Sequence, residues 1–247
     1  SKSILRKGMP IVADGTNDQD STVGDRWKCE GSPSVDGPNG GCSGGTAVAV
    51  KAHVGITAPR MPCGTGTDPS NLYEVVPGHL SALIVNGWIR SRFLAISVYM
   101  DVSDKFRVKN GAILLAMGLL IVANSLPFVA MGDWNNSPNE LASTGWLETV
   151  DGYIIVPEEP TCCTSMAKTG SVIDYAVIPN RLTLMVEYIM ADDNDPYQPH
   201  RRVIMKFHGN MTSISEWNAC TPNHFRCERQ IGPHNSYSCV PPSEGDD

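Results

Sequence analysis

The chain has 247 residues, 41% hydrophobic and 18% charged, enough apolar material for one large domain with a buried core. Nineteen Lys and Arg against twenty-six Asp and Glu leave a net charge of −7. That balance excludes a protein that grips duplex nucleic acid mainly through its phosphates, which requires clustered cations, but not an enzyme that touches one phosphodiester.

Residues 1–39 read as a polar N-terminal segment rich in Gly, Asp and Ser, with one apolar patch from Met9 to Ala13. No charged region followed by an apolar stretch comes after Ser1, so no signal peptide is expected. The expected location is intracellular, nuclear or cytoplasmic, with the eight cysteines as reduced thiols. A glycine turn, Gly40 to Gly45, leads into a strand at Thr46–Val50, followed by strands at Leu80–Val85 and Phe93–Tyr99. The last of these alternates, with Leu94, Ile96 and Val98 on one face and Phe93, Ala95, Ser97 and Tyr99 on the other. From Ser103 to Asn124 the spacing of Ile113, Leu114, Met117, Leu120 and Ile121 predicts a helix. The stretch Ala112–Ala130 imitates a membrane span, but Asn124, Ser125 and Pro127 interrupt it, so it reads as a helix feeding a buried strand.

Ser137-Pro138-Asn139-Glu140 has the pattern of a capping box with Pro at the first helical position, and Gly145 ends that short helix. Further strands are expected at Tyr153–Val156, Val172–Ile178, Leu184–Met190 and Val203–Phe207. Strands around one long helix predict an α/β (α+β) fold, a sandwich of sheets covered by helices. Residues 40–208 form the expected domain, and 209–247 an irregular tail. That tail holds Cys220, His224, Cys227, His234 and Cys239, but no close cysteine pair, so a loose tail is favoured over a zinc site.

The chemistry concentrates in four places. Gly132-Asp133-Trp134-Asn135 closes an apolar run, and a strand continuing through it would put Asp133 and Asn135 on one side at the sheet's mouth. A carboxylate there is a hard ligand for Mg²⁺, and an amide beside it can hold a phosphate without charge repulsion; the alternative is an ordinary turn. Asp174 interrupts an apolar strand, which is costly unless it is paired; the alternative is a partly exposed strand end. His200 enters another strand, and a carboxylate aimed at its imidazole would favour a cation able to hold phosphate charge. Tyr99 ends its strand and could donate its hydroxyl to the same phosphate, or be only a half-buried aromatic.

This ordered set resembles the endonuclease/exonuclease/phosphatase superfamily, including DNase I-like nucleases, apurinic endonucleases and LINE-type retroelement endonucleases. The Gly-Asp-x-Asn element falls on Gly132 to Asn135, the Ile-Asp-Tyr strand on Ile173 to Tyr175, the His loop on His200, the strand-ending Tyr on Tyr99, and the Gly-Gly strand opening on Gly44-Gly45. The resemblance implies a DNase I-like four-layered sandwich, with two mainly antiparallel sheets flanked by helices. It implies Mg²⁺-dependent hydrolysis of a nucleic-acid phosphodiester, with Mn²⁺ as a substitute and no membrane partner. Asp133 would orient or deprotonate the attacking water or bind the metal, Asn135 would bind phosphate, and Asp174 would orient His200, which would stabilise the transition state. Two departures stand out. The family's metal-binding Glu, in a Gln-Glu pair, and an early Asn are not readable in residues 1–43, apart from a weak early-strand match at Met9–Ala13 followed by Asp14. Pro199 also replaces a carboxylate of the family's Ser-Asp-His. A weakened metal site follows, in a chain either truncated at its N-terminus or decayed; the alternative to a nuclease is a non-enzymatic remnant of the same fold. Loops 59–74 and 157–170 are expected to set substrate choice, and nothing in the sequence fixes the oligomeric state.

Overall fold

The computed structural model describes residues 11–13, 27–36, 42–62, 72–88, 91–163, 170–192 and 199–208. The chain divides into two units, Ser1–Thr212 and Ser213–Asp247, and every described residue belongs to the first. The expected Cys/His tail therefore lies outside the described residues, as does Asp14.

The strands in chain order are β1 (Ile11–Ala13), β2 (Trp27–Ser32), β3 (Val35–Asp36), β4 (Cys42–Ser43), β5 (Thr46–Lys51), β6 (Gly55–Thr57), β7 (Glu74–Val76), β8 (Leu80–Trp88) and β9 (Ser91–Tyr99). Helix α1 (Val108–Asn124) leads to β10 (Phe128–Asp133), then α2 (Pro138–Ala142), α3 (Trp146–Thr149), β11 (Gly152–Ile155) and β12 (Asp174–Pro179). A 3₁₀ turn, Asn180–Met185, precedes the hairpin of β13 (Val186–Asp192) and β14 (Arg202–Phe207).

The large sheet runs β11-β12-β10-β9-β8-β6, with β7 also on β8; a small sheet runs β1-β5-β2. Among the described strands, only β9–β10 and β1–β5 pair in parallel. The fold is thus the mixed α/β arrangement with mainly antiparallel sheets that the resemblance implies. Both faces of the large sheet are covered. On one face, Leu94, Ile96, Val98, Phe128 and Ala130 pack against Ile113, Leu114, Met117, Leu120 and Ile121 of α1, with Leu141 of α2 and Trp146 of α3. On the other, Leu83, Val85, Phe93, Ala95 and Val129 pack against Val48 and Val50 of β5 and against Leu182 and Met185. The alternation read in β9 therefore feeds two cores. Each buried aliphatic side chain is worth about 1.5–3 kcal/mol, so the five helix positions dock α1 firmly.

Several boundaries move. The helix expected from Ser103 starts at Val108, because the buried Asn110 side chain holds the chain before it in turns. Its Oδ1 accepts from Asp101 N–H at 2.8 Å, and its Nδ2 donates to Asp101 C=O at 2.8 Å. The strand expected from Leu184 begins at Val186: Leu182 and Met185, three apart, eclipse in a 3₁₀ turn and enter the core together. The capping box forms as read, with Ser137 Oγ accepting from Glu140 N–H and Glu140 Oε2 accepting from Ser137 N–H. Gly145, left-handed at φ 73°, joins α2 to a second short helix rather than ending the run.

Strands β1, β2 and β3 arise from residues before 40. The early strand is present at β1, but it runs parallel to β5, with Ala13 opposite Val50. Its C-terminal end therefore points away from the Gly44-Gly45 turn that opens β5.

Candidate active site

The register of the large sheet sets three of the sequence-selected residues in one row. Asp133 pairs with Tyr99 across β10–β9 and with Asp174 across β10–β12. Paired residues project to the same face, with strands about 4.8 Å apart. Alternation puts this row on the face shared with Ala95 and Val129, toward the small sheet. The row lies where β9 and β10 end and β12 begins. Close approach of β9 and β10 at this point leaves no room for a side chain at Gly132, whose Cβ would collide with the Val98 carbonyl.

His200, just before β14, completes the group. Its Nδ1 lies 3.0 Å from Asp174 Oδ2 and 3.2 Å from Oδ1. An ionised carboxylate only accepts, so Nδ1 carries the proton and Nε2 is turned to Asp133, 4.0 Å from Oδ2. Asp174 is buried, while Asp133 and His200 keep side-chain exposures of 19% and 25%, enough to meet a ligand. Burial, and then the neighbouring Asp174 carboxylate, push Asp133 up to about 7; His200 and Asn135 pull the other way. A carboxyl poised near neutrality is a stronger base than an ordinary Asp and still ionises at working pH.

Asn135 is placed differently from the expectation. The strand stops at Asp133, and Asn135 takes a left-handed conformation at φ 48°. The chain thus turns off the strand end after Asp133, held by Asn135 N–H donating to Asp133 Oδ1 at 3.0 Å. The Asn135 Nδ2 donates to the Met100 carbonyl at 2.8 Å, so the amide stays beside the carboxylate although strand alternation does not put it there.

Behind the row, Trp134 anchors the turn. It is fully buried, stacks on Tyr175 at 5.2 Å between ring centroids, and donates from Nε1 to the Tyr175 carbonyl at 3.0 Å. The Tyr175 hydroxyl is buried with no hydrogen-bond partner among the described residues, and burial holds it well above the ordinary phenol range, so this tyrosine packs rather than titrates.

Thr161 was given no role by the sequence beyond its place in loop 157–170. It is fully buried, and its Oγ1 accepts from the backbone N–H of Ile173 at 3.0 Å and of Asp174 at 2.9 Å. Its carbonyl accepts from Arg201 N–H at 2.7 Å, and Cys163 N–H donates to the Pro199 carbonyl at 2.9 Å. One short segment therefore fixes both the Asp174 strand start and the His200 loop. The Cys162 thiol is buried beside them and pushed up by burial, then by Asp174 and Asp133, which keeps it protonated. Tyr99 is fixed from the side by His79, whose ring stacks at 5.9 Å and whose Nδ1 meets the Tyr99 carbonyl at 2.9 Å.

Asp133, Asp174 and His200 each offer one ligand atom, all within 4.8 Å of one another; no fourth His, Cys, Asp or Glu among the described residues joins them. Two carboxylates that crowd each other enough to raise Asp133 leave surplus negative charge, which a divalent cation suits. The donor set is mixed oxygen and nitrogen, poorer in carboxylates than Mg²⁺ sites prefer and more tolerant of Mn²⁺.

No family model matches the chain, and no curated protein matches it by sequence. Solved structures do. The endonuclease domain of TRAS1, a telomere-specific non-LTR retrotransposon, superposes with a TM-score of 0.53 at 12% identity, over 73% of this chain and 80% of that one. The AP endonuclease LMAP from Leishmania major superposes with a TM-score of 0.53 at 13% identity, over 74% of this chain and 71% of that one. At such identity the likeness speaks for the fold alone: this chain has the DNase I-like fold.

Proposed function

We propose that this chain is a divalent-metal-dependent phosphodiester hydrolase acting on nucleic acid, an endonuclease of the retroelement type. One observation carries the reading: Tyr99, Asp133 and Asp174 stand in one row across three adjacent strands, with His200 bonded to Asp174 and turned to Asp133. The fold shared with a retrotransposon endonuclease domain and an AP endonuclease supports it.

In this reading Asp133, with its raised affinity for a proton, takes the proton of the attacking water. His200 holds the non-bridging oxygen of the phosphorane-like transition state, and Asp174 fixes its tautomer and balances its charge. Tyr99 donates its hydroxyl to the phosphate, and the Asn135 amide, set by Met100, borders the same position. The alternative role for Asp133 is to hold the metal, with Asp174 and His200 in reach; the metal would supply charge neutralisation at the leaving oxygen, and Asp133 would then not be the base. The proposed catalytic domain is 40–208, completed by strands from the preceding segment, with loops 59–74 and 157–170 setting substrate choice.

A catalytically degenerate copy is the second reading, favoured by the absence of a fourth ligand side chain among the described residues and by Pro199 beside His200. Cleavage of an abasic-site duplex and of a plain single strand, with Mg²⁺, Mn²⁺ or EDTA, separates the two. Metal-dependent cutting lost in His200→Ala establishes the nuclease. Folded protein that cuts neither substrate in either metal establishes the degenerate copy.

A further inference from the structure

The Asp133 row has a fourth member, just before β8. Leu80 pairs with Val98, and the next backbone bond of that ladder runs from Tyr99 N–H to the His79 carbonyl at 2.8 Å. His79 therefore stands opposite Tyr99. Strands β8, β9, β10 and β12 lie side by side, so His79, Tyr99, Asp133 and Asp174 line up across them on one face of the sheet. The proposed chemistry uses the last three with His200 and gives His79 no part.

His79 is half-buried, as is Tyr99 beside it. Its ring stacks on Tyr99 with 30° between the planes, and its Nδ1 lies 2.9 Å from the Tyr99 carbonyl. A carbonyl only accepts, so Nδ1 carries the proton. That bond leaves Nε2, across the ring, as the nitrogen open to a ligand, and no described residue bonds it. The turn carrying His79 is held on both sides: Gly78 N–H donates to Ser32 Oγ at 2.5 Å, and the Gly78 carbonyl accepts from Gly45 N–H at 2.7 Å. The row has two carboxylates and no Lys or Arg, in a chain of net charge −7. Among the described residues, what meets an anion there is a pair of imidazoles, His200 at the Asp174 end and His79 at the Tyr99 end. Strands lie about 4.8 Å apart, which puts His79 about 5 Å beyond Tyr99 and about 10 Å from Asp133. A phosphate held between Tyr99, Asp133 and His200 therefore leaves His79 beside the next phosphate of the same strand. Nε2 donates to that phosphate when the ring takes a second proton, a form that the phosphate's own negative charge favours.

We propose that His79 binds the phosphate next to the scissile one, so that the substrate is a polynucleotide strand lying across the ends of β8 to β12 rather than a phosphomonoester or a small diester. The proposal rests on the nuclease reading for which phosphate is cut, but the contact itself is measurable without turnover.

Binding and cleavage are therefore read separately. Fluorescence anisotropy of the full chain with a short single-stranded oligonucleotide in EDTA measures binding alone. His79→Asn keeps an amide that can donate to the Tyr99 carbonyl and removes Nε2; it is expected to weaken binding about tenfold, and His79→Arg, a permanent cation, to restore it. In Mn²⁺, His79→Asn should raise KM on the oligonucleotide by a similar factor with kcat nearly unchanged, and leave hydrolysis of bis(p-nitrophenyl) phosphate, which has no neighbouring phosphate, as in wild type. Circular dichroism confirms that the variants fold. Wild type that binds the strand through His79 but cuts nothing in either metal would end the nuclease reading and leave the phosphate contact standing. Binding by His79→Asn equal to wild type overturns the proposal, as does a wild type that binds no strand. A loss that falls on kcat, or equally on the small diester, also overturns it, because it marks His79 as a support for Tyr99 alone.

Discussion

The large sheet and the small sheet meet beside the same mouth but bring different things to it. From the large sheet, the ends of β9, β10 and β12 deliver Tyr99, Asp133 and Asp174 in register, and the Trp134–Tyr175 stack holds that corner from behind. From the small sheet comes the Gly44-Gly45 turn. Gly44 is left-handed at φ 78°, and a Cβ there would collide with the Gly78 carbonyl and touch the Tyr99 ring. Glycine lets the backbone close in on Tyr99, but it offers no ligand atom. A carboxylate does lie between the sheets, at Glu74, yet it is buried and bonded to Ser32 Oγ, which also accepts from Gly78 N–H. That group clamps β2 to the Gly78 turn rather than facing a substrate. The cluster is therefore one-sided: Tyr99, Asp133 and Asp174 come from the large sheet and His200 from the loop before β14, while the described part of the small sheet adds no ligand atom to them.

If the large-sheet row and the His200 that meets it do the chemistry, the largest loss comes from His200→Ala, which removes the group proposed to face the transition state. The expected fall is about 10³-fold in single-turnover cleavage, with a melting temperature within a few degrees of wild type.

Asp133→Asn comes next and acts on stability as well as rate. The folded-state value near 7 lies above the ordinary carboxylate value, so through the window from about pH 4 to 7 the folded protein holds more protons than the unfolded chain. Stability from this group is thus fully present at acid pH and lost as pH rises through 7. Neutralising the side chain should stabilise the metal-free protein by on the order of 2–3 kcal/mol at pH 8 and hardly at all near pH 4.5, measured by urea unfolding at both values. A variant no more stable at pH 8 than wild type would show that burial and the Asp174 carboxylate do not raise Asp133 in the folded protein.

Thr161→Val should cost about 1–3 kcal/mol, since it leaves the buried N–H groups of Ile173 and Asp174 without their acceptor. It should also slow cleavage about tenfold, and Thr161→Ser should restore both. The smallest effect reports the sparse cation ligands. Millimolar Mg²⁺ should raise the melting temperature by no more than about 1–2 °C, with Mn²⁺ giving the larger shift.

Features made by local spacing were legible in the sequence. The inner face of α1, the two-sided alternation of β9 and the Ser137–Glu140 capping box all form where the pattern puts them. So does the pairing of Asp174 with His200, because a lone carboxylate in an apolar strand has to find a partner. Features made by long-range contacts were not legible. Asn110 shortens the helix by reaching back to Asp101, and no periodicity encodes that bond. Asn135 joins the site through a turn held by Met100, not through strand alternation. Thr161 acts on backbone groups twelve and thirteen residues away, and a loop threonine gives no advance sign of two such bonds.

In the proposed mechanism Asp174 works through His200 on a reacting phosphate. A double-mutant cycle of Asp174→Asn and His200→Ala, read as single-turnover cleavage of an abasic duplex in Mn²⁺, tests it most directly. The expected losses are about 10²-fold and 10³-fold for the single variants, with the double variant no worse than His200→Ala alone. Losses that multiply, or a folded wild type that cuts nothing, would contradict it.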